Sequence, residues 1–182
     1  MYYKKLHLLL VIALFSLFFT QFSFAKTAKE IDSAVDIAIE KFKQDIDGSE
    51  GFLPRVKGYL VFPRVIKAGI IFGGKYAEGA LRINGQTQHY YEMSAASVGF
   101  QAGAQEYSML IAFISEKALN NFVRSNGWEA GIDGSITAAD WGENIDLSTI
   151  SFEKSIVAFI YQEKGLMASI SIAGTKFRRI AP

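Results

Sequence analysis

The chain has 182 residues, half of them hydrophobic, with 19 Lys and Arg against 18 Asp and Glu and no cysteine. Disulfide stapling, a thiol nucleophile and a lipid on an N-terminal cysteine are thereby excluded, and a formal net charge of +1 gives no whole-molecule attraction to nucleic acid. The length suffices for one domain burying about two thirds of its unfolded surface without metal or disulfide.

Lys4 and Lys5 precede an apolar run from Leu8 to Phe19, and Ser23 and Ala25 put small residues at the two positions a signal peptidase reads. The expectation is a signal peptide over residues 1–25, leaving a single domain, 26–182, that is exported to the periplasm or secreted and stays peripheral to a membrane. An uncleaved anchor is the rival, because Leu6 to Phe24 is only slightly shorter than the ~20 residues of a spanning helix. Thr20, Gln21 and Ser23 weigh against it. Without Lys4 and Lys5 the 19 basic residues fall to 17 against 18 acidic, a formal charge of −1.

From Thr27 the pattern is helical. "TAKE" is a capping box, and Ile31, Val35, Ala38, Phe42 and Ile46 recur at intervals of three or four. Gly48 and Gly51 end that helix. From Gly58 the period changes to two. "GYLVF" is a short apolar run stopped by Pro63, "AGIIFGG" is another, and "KYAEGALRI" alternates up to Asn84 and Gly85, a strong hairpin signal. "QTQHYYEM" is the partner strand. "ASVGFQAGA" and "EYSMLIAFI" follow as strands, then a helix capped by Ser115 and stopped at Gly127. "EAGIDGSITAAD", "KSIVAFIYQ" and "GLMASISIAG" read as strands and "WGENIDLSTI" as a loop. Gly73, Gly79, Gly99 and Gly103 inside strands imply bends or close backbone approach. The predicted fold is α+β: a Gly-rich, strongly curved antiparallel sheet or small barrel of about seven to nine strands, with an N-terminal helix and one internal helix.

Gly69, Gly74 and Lys75 in "GIIFGGKY" have the spacing of a phosphate-cradling loop, but Tyr76 stands where Ser or Thr should meet magnesium. The residues after Lys75 alternate as a strand, and a phosphate loop needs a helix there. Nucleotide and nucleic acid are therefore not expected as partners, and no cofactor is implied. Catalysis is poorly supplied: beyond residue 25 there is one histidine, His89, and no G-x-S-x-G elbow. Asp32, Asp36 and Glu40 share a helix face that reads as solvated, and Asp133, Asp140, Glu143 and Asp146 around Trp141 match no calcium loop, so no metal site is assigned.

Local charge is more informative. Arg55, Lys57, Arg64, Lys67 and Lys75 occur without an intervening acid, among Phe52, Leu53, Tyr59, Phe62, Ile70, Ile71 and Phe72. Basic groups beside apolar ones suit an anionic membrane surface, each contributing about 1 kcal/mol. The same pattern also fits core residues with solvated strand ends. Lys176, Arg178 and Arg179 form a second basic cluster.

"KGYLVFPRVIKAGIIFGGKYAEGAL", "SAASVGFQAGAQEYSMLIAF", "NGWEAGIDGSITAAD" and "EKGLMASISIAGTKFRRI", in this order, resemble the SYLF lipid-binding domain family, in particular its bacterial exported branch, over about Ala28 to Ile180. The family is related to yeast actin-patch proteins, and its eukaryotic members bind phosphoinositides. Here the matching helix carries Asp32, Asp36, Glu40, Asp45 and Asp47 where those relatives are basic. The resemblance implies a non-catalytic domain that contacts lipid. The expectation is thus an envelope protein binding anionic phospholipid through Arg55, Lys57, Arg64, Lys67 and Lys75. The alternatives are an envelope protein-interaction or scaffolding module and, third, an enzyme acting on envelope lipid or cell wall.

Overall fold

The computed structural model describes residues 26–69, 72–98, 103–139, 147, 155–165 and 171–182. The leader, the expected "WGENIDLSTI" loop apart from Leu147, and most of the expected "GLMASISIAG" strand lie outside these residues.

Helix α1, Ala28–Asp45, begins at the capping box: the Thr27 hydroxyl accepts from the Glu30 amide at 3.3 Å while the Glu30 carboxylate accepts from the Thr27 amide at 2.8 Å. All five predicted apolar positions are buried. A short helix α2, Ser49–Phe52, and a 3₁₀ turn, Leu53–Arg55, lead into the sheet.

Strands β1 (Gly58–Gly69), β2 (Phe72–Ile83), β3 (Gln86–Val98) and β4 (Gly103–Phe113) precede helix α3 (Glu116–Arg124). They are followed by β5 (Trp128–Glu129), β6 (Thr137–Ala139), β7 (Ile156–Gly165) and β8 (Lys176–Ile180). All eight form one sheet in the order β5-β8-β3-β2-β1-β4-β7-β6, antiparallel except for the β6·β7 pair. The α+β fold is as expected. The edges are two- and three-residue strands, which leaves little backbone for a stray strand to pair with.

Several boundaries differ from the sequence reading. Pro63 does not stop β1. The strand continues to Gly69 past a register shift between Phe62 and Val65, a bulge where the missing proline N–H costs no ladder bond, and the Ser108 hydroxyl donates to the Pro63 carbonyl at 2.8 Å. Of "AGIIFGG", Ala68 and Gly69 consequently end one strand and Phe72, Gly73 and Gly74 begin the next. "EAGIDGSITAAD" divides into β5, a turn and β6, and the basic cluster 176–179 is itself a strand.

The sheet is curled. Phe62 on β1 and Phe177 on β8 touch, with ring centroids 5.9 Å apart, although β2 and β3 lie between them. Three interstrand steps of about 4.8 Å would hold them roughly 14 Å apart in a flat sheet. Curling is helped by Gly79, where a Cβ would fall 2.0 Å from the Val61 carbonyl oxygen, so only glycine lets β1 and β2 bend there.

Each face carries its own core. On the inner face Leu60, Phe62, Ala77, Leu81, Met93, Met109 and Ile111 pack together, and Phe122 of α3 plugs one end against Tyr91, Phe113, Trp128 and Phe177. On the outer face α1 lies across β1, β2, β4 and β7: Phe42 packs edge-on to Phe159 and Tyr161 at 5.3 and 5.4 Å, and the Tyr161 hydroxyl donates to the Ala38 carbonyl. Arg82 ties helix to sheet through Asp36 at 2.6 Å and Asp32 at 3.4 Å.

Candidate functional site

The acid-free basic run divides between the two ends of β1. Arg55 and Lys57 precede the strand, whereas Lys67 is two residues from its far end; at about 3.3 Å per residue Lys57 and Lys67 are roughly 30 Å apart. Arg55 and Lys57 are exposed beside a cleft of ≈ 540 Å³ walled by Ile39, Leu53, Pro54, Val56 and Tyr59 with Lys43 at its side. Phe52, Leu53 and Phe62 from the sequence pattern are core residues.

Lys67 and Lys75 are brought together: they are direct partners across β1 and β2, and Lys67 is also opposite Gln105 of β4. Strand alternation from Val65 and Ala77 puts them on the inner face, at the end away from Phe122. Lys75 is only 8% exposed, and its ammonium donates to the Ser171 carbonyl at 2.7 Å. Burial, and then the neighbouring Lys67 charge, lower its pKa to about 8. Burial also lowers that of Lys67, with Glu163 opposing the effect. Glu163 accepts from the Gln105 side-chain amide. Burial raises the Tyr107 hydroxyl pKa, with Glu163 adding to it.

The outer face of the same hairpin is apolar and open. Phe72 is 76% exposed, and Ile66 and Tyr76, also exposed, face each other across β1 and β2. Around them each carboxylate has a cation: Arg64 meets Glu106 at 2.7 Å, Arg178 meets Glu92 at 2.8 Å and Lys26 meets Glu78 at 3.9 Å. Arg64 is thus already paired at the surface. The C-terminal cluster is separated from β1 by β3 and β2, and Arg179 turns to the Val123 carbonyl instead of to the hairpin tip.

Other sequence candidates are accounted for by structure. Asp32 and Asp36 face Arg82, and Asp32 also accepts from Thr87 and Tyr90 at 2.6 and 2.8 Å. His89 stands edge-on to Tyr91, its pKa lowered by burial and by Arg179. Among the described residues no group of three His, Asp or Glu could hold a metal, and no helix is long and apolar enough to cross a membrane. Lys75 lies within β2, which pairs with β1 and is followed by β3 and not by a helix, so it does not end a phosphate-cradling loop.

Ile66, Gln105, Tyr107 and Glu163 were not singled out in the sequence. Glu163 follows Gln162, whose φ of 56° marks a break in β7 that only the structure displays.

Among known families, the Ysc84 model, described as "Las17-binding protein actin regulator", matches residues 94–180. That stretch is similar to the SYLF domain. The match begins within β3 and ends with β8, and in the sheet β1 and β2 lie between β3 and β4, so the matched strands pair through the hairpin that carries Lys67 and Lys75. SYLF domains are binding domains. No curated protein matches the chain.

Proposed function

We propose that this protein is a non-catalytic lipid-binding protein that docks on anionic phospholipid by the β1–β2 hairpin tip. The observation that carries this reading is the exposed trio Ile66, Phe72 and Tyr76 on one face of the tip, with the lysine pair on the other. Large exposed apolar side chains grouped at one end of a sheet mark a contact surface, and Phe and Tyr suit the headgroup boundary. Half-buried Lys67 and exposed Arg64 at the flank then lie near the negative surface potential, while Lys75 stays buried behind them. Arg55 and Lys57, at the opposite end of β1, contribute long-range attraction and do not touch the same patch. An exported protein peripheral to an envelope membrane is the setting in which such a tip works.

Flotation with phosphatidylglycerol and phosphatidylcholine vesicles tests the proposal. Binding is expected to the anionic vesicles only, to weaken with salt as the Debye length shrinks, and to be lost in Phe72→Ser. Absent flotation, or equal flotation on both lipids, overturns it. Protein interaction is the second reading, favoured by the family description, which names binding of a protein. A stoichiometric protein partner that survives detergent extraction, together with absent flotation, would select it.

A further inference from the structure

We infer that the recess between helix α3 and residues 133–137 binds a neutral sugar ring of a glycan, at a site separate from the membrane-docking tip. It is a cavity of ≈ 430 Å³, within the size range of small-molecule sites.

Three chain segments far apart in sequence build it. Phe113 of β4 is opposite Ile156 of β7, and the Ile114 and Ser115 amides both donate to the Ser155 carbonyl, at 3.0 and 3.4 Å, which sets Ser115 beside Ser155. Thr137 of β6 is opposite Val157 and carries this row of hydroxyl residues to the sheet edge. Lys117 and Asn121, exposed on one face of α3, form a second wall. The third is a fixed turn. The Gly131 amide donates to the Gly134 carbonyl at 2.9 Å, and the Asp133 carboxylate accepts from the Glu129 amide at 2.7 Å, which leaves its second oxygen for a ligand. Behind the turn lies the buried Trp128 ring, so close that a Cβ on Gly134 would fall 2.8 Å from it. Walls held in this way cost a ligand little ordering.

The lining decides the ligand class. Lys117 and Asp133 are its two charged side chains and they cancel, so a phosphate finds no excess of cations. The apolar side chains are Ala118, Trp128 and Ile156, all buried, too little surface for an acyl chain. Among the described residues no three His, Asp or Glu gather for a metal. Hydroxyl, amide, ammonium and carboxylate groups remain, and they suit a ligand whose polar groups each donate and accept. The hydroxyls of a pyranose ring do both. Five lining residues, from Trp128 to Thr137, come from "NGWEAGIDGSITAAD", a stretch the docking tip does not use. From Gly58, opposite Phe113, β1 runs roughly 35 Å to Gly69 beside the tip, so the recess and Phe72 lie at opposite ends of the sheet. A membrane and a glycan can then be held at once.

Titration with maltose, cellobiose and N,N′-diacetylchitobiose, followed by backbone amide NMR and calorimetry, tests the site. At least one disaccharide is expected to bind and to shift the amides of residues 115–121, 133–137 and 155, leaving those of Ile66, Phe72 and Tyr76 in place. Asn121→Ala and Asp133→Asn, which keeps the acceptor for the Glu129 amide, should each weaken binding about fivefold, the worth of roughly one hydrogen bond. Asn120→Ala, an exposed change on α3 outside the recess, should leave binding unchanged. Phe72→Ser should also leave it unchanged while abolishing vesicle flotation, so the two sites fail separately. No shift with any of the three sugars, shifts confined to other residues, or equal loss in Asn120→Ala overturns the site. Tighter binding of inorganic phosphate or of the zwitterion alanylalanine at the same amides overturns the sugar assignment.

Discussion

Lys75 on β2 donates to the carbonyl of Ser171, 96 positions later in the chain, and that contact holds its ammonium group inside the curled sheet directly opposite Lys67. Because burial lowers the Lys75 pKa from 10.5 to about 8, the unfolded chain binds more protons than the folded one between these values, and stability rises with pH there. The gain from pH 8 to pH 10 is about 2 kcal/mol. Above pH 10 the buried hydroxyls of Tyr107 and Tyr161, both raised by burial, reverse the trend, since the unfolded chain then loses protons the folded one keeps. Urea midpoints across pH 7 to 10 should climb in the wild type and climb less steeply in Lys75→Met, where only the lowered pKa of Lys67 remains; parallel profiles would disprove the assignment.

Gly79 is the position where sheet curvature is most exposed to a single substitution. A Cβ there lies 2.0 Å from the Val61 carbonyl oxygen and 2.8 Å from the Phe62 ring, backbone that cannot yield without opening the β1·β2 ladder. Gly79→Ala should cost about 3 kcal/mol, at the upper end of overpacking penalties. Thermal melts would check this, with Gly127→Ala, which meets nothing within 4 Å, as the tolerated control.

Asp32 and Asp36 both face Arg82, yet their removal should differ. Asp32→Ala strips partners from Thr87 and Tyr90 as well as Arg82 and should cost about 2 kcal/mol. Asp36 is largely exposed, so Asp36→Ala should cost under about 1 kcal/mol despite its shorter contact of 2.6 Å. Equal losses in denaturant unfolding would show that the network around Asp32 is not what docks α1.

Two phenylalanines offer opposite tests of core and surface. Phe122 is 2% exposed and packs against four aromatic rings at one end of the sheet, so Phe122→Ala should cost about 3–5 kcal/mol. Phe72→Ser should change stability by no more than about 0.5 kcal/mol while abolishing vesicle flotation. A large melting shift in Phe72→Ser would mean that the ring is structural.

Features carried by neighbours in the chain were legible without coordinates. The Thr27–Glu30 capping box, the apolar stripe of α1, the Ser115 cap and the Asn84-Gly85 turn, with φ of 51° and 76°, each depend on a few adjacent residues, and the structure shows all four. That the chain is α+β with a curved sheet followed from the same local periods. Pro63 misled because its effect on a strand depends on whether the ladder needs its N–H, which the bulge facing β4 settles. The basic run misled differently: five cations within 21 positions look like one surface, but an extended strand carries its two ends roughly 30 Å apart. Which lysines meet was decided by strand register, which pairs Lys67 with Lys75 and Gln105. Which of them is desolvated was decided by curling, since burial of Lys75 requires Ser171 to close over it from the far end of the chain. Contacts of that range are set by how two hydrophobic faces close around a bent sheet, and no window of adjacent residues contains them.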